Sequence, residues 1–235
     1  MARSVVLKGA PRCRGCQLPP RWCVCAGLRT VDSALQVDVL MHHMEAHRPS
    51  STGHLIKRVM PQTGQHQYRI DRPLTPAEVV KTGRELWILH PLGEPLPAGA
   101  APEKVQVLLL DGSWKQALEM QRSVHSWGRP VSLPMIGESR YWLRAQQGAQ
   151  QFSTIEALMF LLAALGLPEA GARLREQFEL HVYAGLCARG KKAAAAEFLA
   201  NSPARTAFPE LIAKLAEKRP LVESVRSRTT DQKQI

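Results

Sequence analysis

Apolar positions fall into short runs bounded by turn-forming residues, separated by segments whose apolar residues recur at helical spacing. Gln36-Val-Asp-Val-Leu-Met-His-His43 reads as a strand, residues 51–59 as a short helix, and residues 67–70 as a second strand. Thr75-Pro-Ala-Glu78 is a capping box with proline at the first helical position, so another short helix starts there. Glu85-Leu-Trp-Ile-Leu-His90 and Val105-Gln-Val-Leu-Leu-Leu110 read as buried strands, divided by a Pro/Gly/Ala-rich loop over 91–102. A helix opens at Ser113, with Trp114, Ala117, Leu118 and Val124 at helical spacing and Gln121 as a polar break. Residues 131–133 form a further strand, followed by helices over 154–165, 169–187 and 209–218. Residues 224–235 are polar and expected to be disordered. Strands alternating with helices imply an α/β domain with a mainly parallel sheet, whose ligands bind beyond the carboxyl ends of the strands.

Composition narrows the partners. A formal charge of +11 over 235 residues raises the local concentration of polyanions, and nucleic acid is the first candidate. An anionic membrane surface would call for a basic amphipathic helix or a lipidation motif, and the sequence presents neither clearly. The longest apolar run, residues 157–167, is too short to span a bilayer. The first eight residues lack a sustained apolar stretch, so no signal peptide is expected and the expected location is cytoplasmic.

Four of the five cysteines lie close together, as Cys13-Arg-Gly-Cys16 and Cys23-Val-Cys25. In a reducing compartment such a cluster points to metal rather than to disulfides. Four thiolates suit a closed, structural zinc site. Gly15 is placed for the sharp turn of a knuckle. A redox pair is the alternative, but no thioredoxin-like strand and helix surround it. Cys187 lies alone in a predicted helix and reads as a buried thiol.

Four segments could carry chemistry. In Leu108-Leu-Leu-Asp111-Gly112-Ser113-Trp114 a strand ends in a carboxylate, a glycine turns the chain, and a serine opens a helix with free N–H groups. Asp111 there can accept a proton or hold a cationic ligand; alternatively Asp111 and Ser113 only cap the helix and Trp114 is core. Arg48-Pro49-Ser50-Ser51-Thr52-Gly53 is a hydroxyl-rich loop after the first core strand, one of whose hydroxyls caps the next helix. Ser153-Thr154-Ile155-Glu156 opens the apolar helix and contains a capping box. Arg140-Tyr141-Trp142-Leu143-Arg144 interleaves cations with aromatics, which suits phosphates and stacked bases, or else an amphipathic strand with solvated arginines.

Taken in order, the cysteine knuckle, Arg-Pro-x-x-Thr-Gly, Asp-Gly-Ser-Trp and Ser-Thr-Ile-Glu-Ala resemble the DTW-domain family, and within it the bacterial tRNA-uridine aminocarboxypropyltransferases. The resemblance runs from Cys13 to about Phe178. Ser113 stands where the family usually has threonine, and Ser51 where it has asparagine. The resemblance implies a SPOUT-like α/β fold with a C-terminal trefoil knot, divided into a zinc knuckle (1–30), a catalytic domain (31–222) and a tail (223–235). It implies transfer of the 3-amino-3-carboxypropyl group from S-adenosylmethionine to N3 of a uridine in transfer RNA, releasing methylthioadenosine. The alternatives are a SPOUT-type RNA methyltransferase, aminocarboxypropyl transfer to ribosomal RNA, or a non-catalytic RNA-binding protein. Asp111 is the expected catalytic residue, as proton acceptor or as a cofactor-positioning group. Thr52, Gly53, Leu110, Ser113, Trp114, Ser153, Thr154 and Glu156 are expected around S-adenosylmethionine. Arg48, Lys115, Arg140 and Arg144 are expected to face RNA, and Cys13, Cys16, Cys23 and Cys25 to hold structural zinc.

Overall fold

The computed structural model describes residues 11–144 and 151–217. The reading of residues 223–235 as a tail lies outside them. Five strands form one sheet: β1 (Gln36–His42), β2 (Gly64–Tyr68), β3 (Glu85–Pro95), β4 (Val105–Asp111) and β5 (Arg129–Ser132). Their order is β2-β1-β4-β3-β5, and every neighbouring pair is parallel. The apolar runs of β1 and β4 follow from this position, because central parallel strands are covered on both faces.

The period of two along a strand divides the core. Val37, Val39 and Met41 of β1 and Val105, Val107 and Leu109 of β4 face one side. There they meet α1 (Thr52–Val59), α4 (Thr154–Ala164) and α5 (Pro168–Ala188). Leu40 and Leu108 face the other side, where they meet Val79 of α2 (Pro76–Val79) and Met120 and Val124 of α3 (Trp114–Val124). Three short helices, α6 (Lys192–Ala200), α7 (Ala204–Ala207) and α8 (Pro209–Ala216), close the end of α5. Among the described residues no helix is long and apolar enough to cross a membrane.

Leu18 and Val24 of the cysteine-rich segment belong to the same core as the sheet. The segment docks on the C-terminal helices: Gln177 donates to the Gly27 carbonyl at 2.9 Å, and Arg21 donates to the carbonyls of Lys214 and Leu215 at 3.1 and 3.3 Å. Those carbonyls end α8, where no intrahelical donor remains for them.

Several elements differ from the sequence reading. Strand β2 starts at Gly64, earlier than expected, because Gly64 pairs with Asp38 and lies under its side chain. A Cβ at Gly64 would come within 1.7 Å of Asp38 Oδ1. Strand β3 continues through the supposed loop to Pro95; Leu89 and Glu94 both pair with Val131, and the chain between them bulges out. Proline and glycine are tolerated there because β3 is irregular at that point. Helices α6 and α7 were not expected, since α6 buries only Ala195 and Phe198 of an otherwise alanine-rich stretch. In α3 the expected stripe is inward only at its C-terminal end, at Val124. Met120 and Val124 are buried, whereas Trp114 and Leu118 remain 45% and 37% exposed.

Candidate active site

A cleft of about 1180 Å³ opens at the carboxyl ends of β3 and β4, where the sheet topology places ligands. Its walls come from the loop after β1, from the bulge of β3, from the loop after β5 and from the first turns of α3 and α4. Helices α1, α3 and α4 all begin beside it, each with a serine cap: Ser51, Ser113 and Ser153. Helix starts present free N–H groups and partial positive charge to whatever occupies such a space.

Asp111 ends β4 and is buried in the cleft floor. Its Oδ2 accepts from the Ser51 hydroxyl and its Oδ1 from the Thr154 hydroxyl, both at 2.8 Å. One carboxylate thus fastens the starts of α1 and α4 to the end of the central strand. Gly53 makes the approach possible, since a Cβ there would lie 2.7 Å from Asp111 Oδ2. Burial pushes the Asp111 carboxyl above its ordinary range, and the two hydroxyls pull it back in part.

The remaining expected residues divide into those that reach the cleft and those that do not. Thr52, Leu110, Ser113, Trp114, Ser153 and Thr154 line it, as do Arg48, Lys115 and Arg144. Gly53 lies behind the wall, against Asp111 and Met41. Glu156 turns away from the cleft: it accepts from the Ser153 amide at 2.7 Å, from the Arg140 amide at 2.7 Å and from the Ser139 hydroxyl. It shapes the loop before α4. Arg140 points inward to Glu179 (3.1 Å) and the Phe198 carbonyl (2.8 Å), with its guanidinium 4.0 Å from the Phe198 ring centre. Residues 140–144 form neither a strand nor a stacking surface, because Tyr141 and Leu143 are buried and Trp142 packs edge-on against Phe198.

Sequence reasoning missed four contributors. Glu45 is 1% exposed and pairs with both Arg48 (2.8 Å) and Arg144, which fixes the two cations at the cleft. Ser51 joins Asp111 while capping α1 through the His54 amide. Tyr141 donates its hydroxyl to the Ser50 carbonyl. His90 lines the bulge; the Leu92 amide donates to its Nδ1 at 3.2 Å, which leaves Nε2 as the protonated nitrogen of the neutral ring. Burial lowers the His90 pKa, so the neutral form is favoured. Only the hydroxyl-rich loop hinted at Ser51; Glu45 and Tyr141 meet Arg144 and Ser50 from distant segments, and His90 lies in the unexpected bulge of β3.

The four clustered cysteines converge. Their sulfurs all lie within 4.8 Å of one another, with Cys13 to Cys25 at 3.5 Å and Cys16 to Cys23 at 3.7 Å. A tetrahedral ion with metal–sulfur bonds of about 2.3 Å has sulfur–sulfur edges of about 3.8 Å. The donor set and its dimensions therefore fit a metal ion such as zinc, and all five cysteines of the chain are free thiols. Gly15 serves the knuckle by close approach, since a Cβ there would stand 3.0 Å from the Cys25 sulfur. The left-handed backbone in this segment falls on Gln17, at φ 60°. Cys187 is half-buried in α5, away from this cluster.

A parallel α/β sheet with a basic cleft at its strand ends and a four-cysteine knuckle defines the class of protein. Within that class the model of the DTW domain matches residues 10–184, and the chain belongs to the DTW-domain family, which is associated with tRNA modification. No solved structure matches the chain.

Proposed function

We propose that this protein is a cytoplasmic tRNA-uridine aminocarboxypropyltransferase of SPOUT-like, knotted fold, with S-adenosylmethionine as donor in the strand-end cleft. The observation that carries the reading is the junction at Asp111, where one carboxylate joins the starts of two helices beneath a cleft lined by Arg48, Lys115 and Arg144. Among the described lining residues Arg48, Lys115 and Arg144 are cationic and Asp111 is acidic, with Glu45 behind Arg48 and Arg144, and the cations suit a substrate rich in phosphate. In the transfer, the bond between sulfur and the aminocarboxypropyl carbon breaks with its electron pair left on sulfur. Uridine N3 forms the new bond and loses its proton. The sulfonium makes three carbons electrophilic, so the protein's task is to present one of them in line.

Thr52, Ser113, Ser153 and Thr154 would surround the donor, with Leu110 and Trp114 against its apolar parts. Asp111 has both oxygens engaged by hydroxyls, which favours a positioning role over that of proton acceptor. Arg48, Lys115 and Arg144 would meet RNA phosphates. Arg140 leaves that group, because its guanidinium is used internally.

This division makes a paired prediction. Arg140→Ala removes one partner of the buried Glu179 and should lower stability by about 1–3 kcal/mol while leaving the salt dependence of RNA binding unchanged. Lys115→Ala should leave stability unchanged and reduce the salt slope of binding by about one. Urea melts and RNA titrations at several salt concentrations would separate the two.

The function itself is tested by incubating the protein with S-adenosylmethionine and unmodified transfer RNA, followed by mass spectrometry. Aminocarboxypropyl-uridine with methylthioadenosine is the expected result. A methylated nucleoside with S-adenosylhomocysteine would replace it with a methyltransferase. Product on ribosomal RNA alone would change the substrate, and no product on either would leave a binding protein.

A further inference from the structure

Arg58 is a half-buried cation with no carboxylate partner among the described residues. It lies in the last turn of α1, and its Nε is buried without a hydrogen-bond partner. It shares a small space of about 10 Å³ with Gly15, Cys16 and Gln17 of the knuckle and with His181 of α5. His181 supplies no negative charge. Its Nε2 donates to the Pro49 carbonyl at 3.3 Å, its Nδ1 has no partner, and burial together with Arg58 holds its pKa down to about 3. The knuckle residues on that space are Gly15, Cys16 and Gln17, and Cys16 belongs to the four-sulfur cluster.

Burying a guanidinium without opposing charge is costly, and four neutral thiols offer none. Four thiolates around a divalent ion leave an excess of two negative charges beside it. We propose that Arg58 is the counter-cation of the metal-loaded knuckle, and that metal loading thereby fixes helix α1 and the cleft wall it begins. The connection is continuous: Arg58 ends the helix whose first residues are Thr52 and Gly53 and whose cap, Ser51, donates to Asp111. This role is independent of the reaction that the cleft performs.

The test uses full-length, zinc-loaded protein and a chromogenic chelator at fixed pH. Arg58→Met should bind zinc about tenfold more weakly than the wild type, the range found when groups supporting metal ligands are lost. Arg58→Lys, which keeps the charge, should remain within about threefold of the wild type. Hydrogen exchange over residues 52–59 supplies a readout that a local effect on the ligands would not move. Stripping zinc should speed it about tenfold in the wild type, and Arg58→Met should show the faster exchange even when loaded. Wild-type zinc affinity in Arg58→Met, or α1 exchange indifferent to zinc, would overturn the proposal. Should Arg58→Met fail to fold, the wild type decides: α1 exchange that quickens when zinc is stripped upholds the link, and exchange indifferent to zinc refutes it.

Discussion

Asp111→Ala is expected to lower kcat/KM by about a hundredfold or more, and Asp111→Asn to recover most of that loss. Alanine leaves the Ser51 and Thr154 hydroxyls without their acceptor and opens a space where Gly53 packs. The starts of α1 and α4 are then free to drift, and a shift of about 1 Å in a positioned site costs about a hundredfold. The same change should lower stability by about 1–3 kcal/mol, since buried polar groups lose their partner. Asparagine restores the volume, one acceptor oxygen, and an amide that a rotated hydroxyl can accept from. A proton-accepting role predicts otherwise: the amide cannot take a proton, and the loss of a general base costs about 10²–10⁴ in rate with either substitution. Single-turnover rates with the two variants, beside their urea midpoints, decide the matter. An asparagine variant as inactive as the alanine variant would sink the positioning role.

The second large effect is expected from the knuckle. Removing its metal with a chelator should lower the stability of the protein by about 4 kcal/mol if free zinc otherwise stands at a thousand times its dissociation constant. Cys16→Ser should act in the same direction, because the thiol is buried and belongs to both the donor set and the core. Cys187→Ser should leave the metal content unchanged, as it stands apart from the cluster. Unfolding midpoints with and without chelator, with metal content measured on the same samples, test all three. A midpoint indifferent to the chelator would mean that the four sulfurs hold no stabilising ion.

The parts of the fold that were legible in the sequence are those with a local cause. Strands β1 and β4 are apolar runs because both of their faces are covered, and Ser113 and Thr75 start helices through capping contacts three residues away. The knuckle was legible because its ligands are close in sequence. Other features depend on which partner a side chain meets across the fold. The carboxyl of Glu156 and the guanidinium of Arg140 have the chemistry of site residues, yet both are used to hold the chain around them. Glu45, which clamps two cleft cations, lies in a polar loop that gives no sign of burial. Trp114 and Leu118 lie on an apolar stripe, and the stripe alone cannot distinguish a core from a cleft wall.

The docking of Arg21 on the end of α8 has a consequence for synthesis. Arg21 and Lys214 are 193 positions apart, so the surface that receives the knuckle leaves the ribosome long after the knuckle itself. At about 5–20 residues per second, the N-terminal thiols wait on the order of ten to forty seconds for that surface. During this interval the cysteines are exposed to oxidants and competing metals, without the burial that the finished fold gives Cys16. An ion captured early would hold the segment in shape through the wait, and the order of translation would then make metal supply an early requirement for the nascent chain.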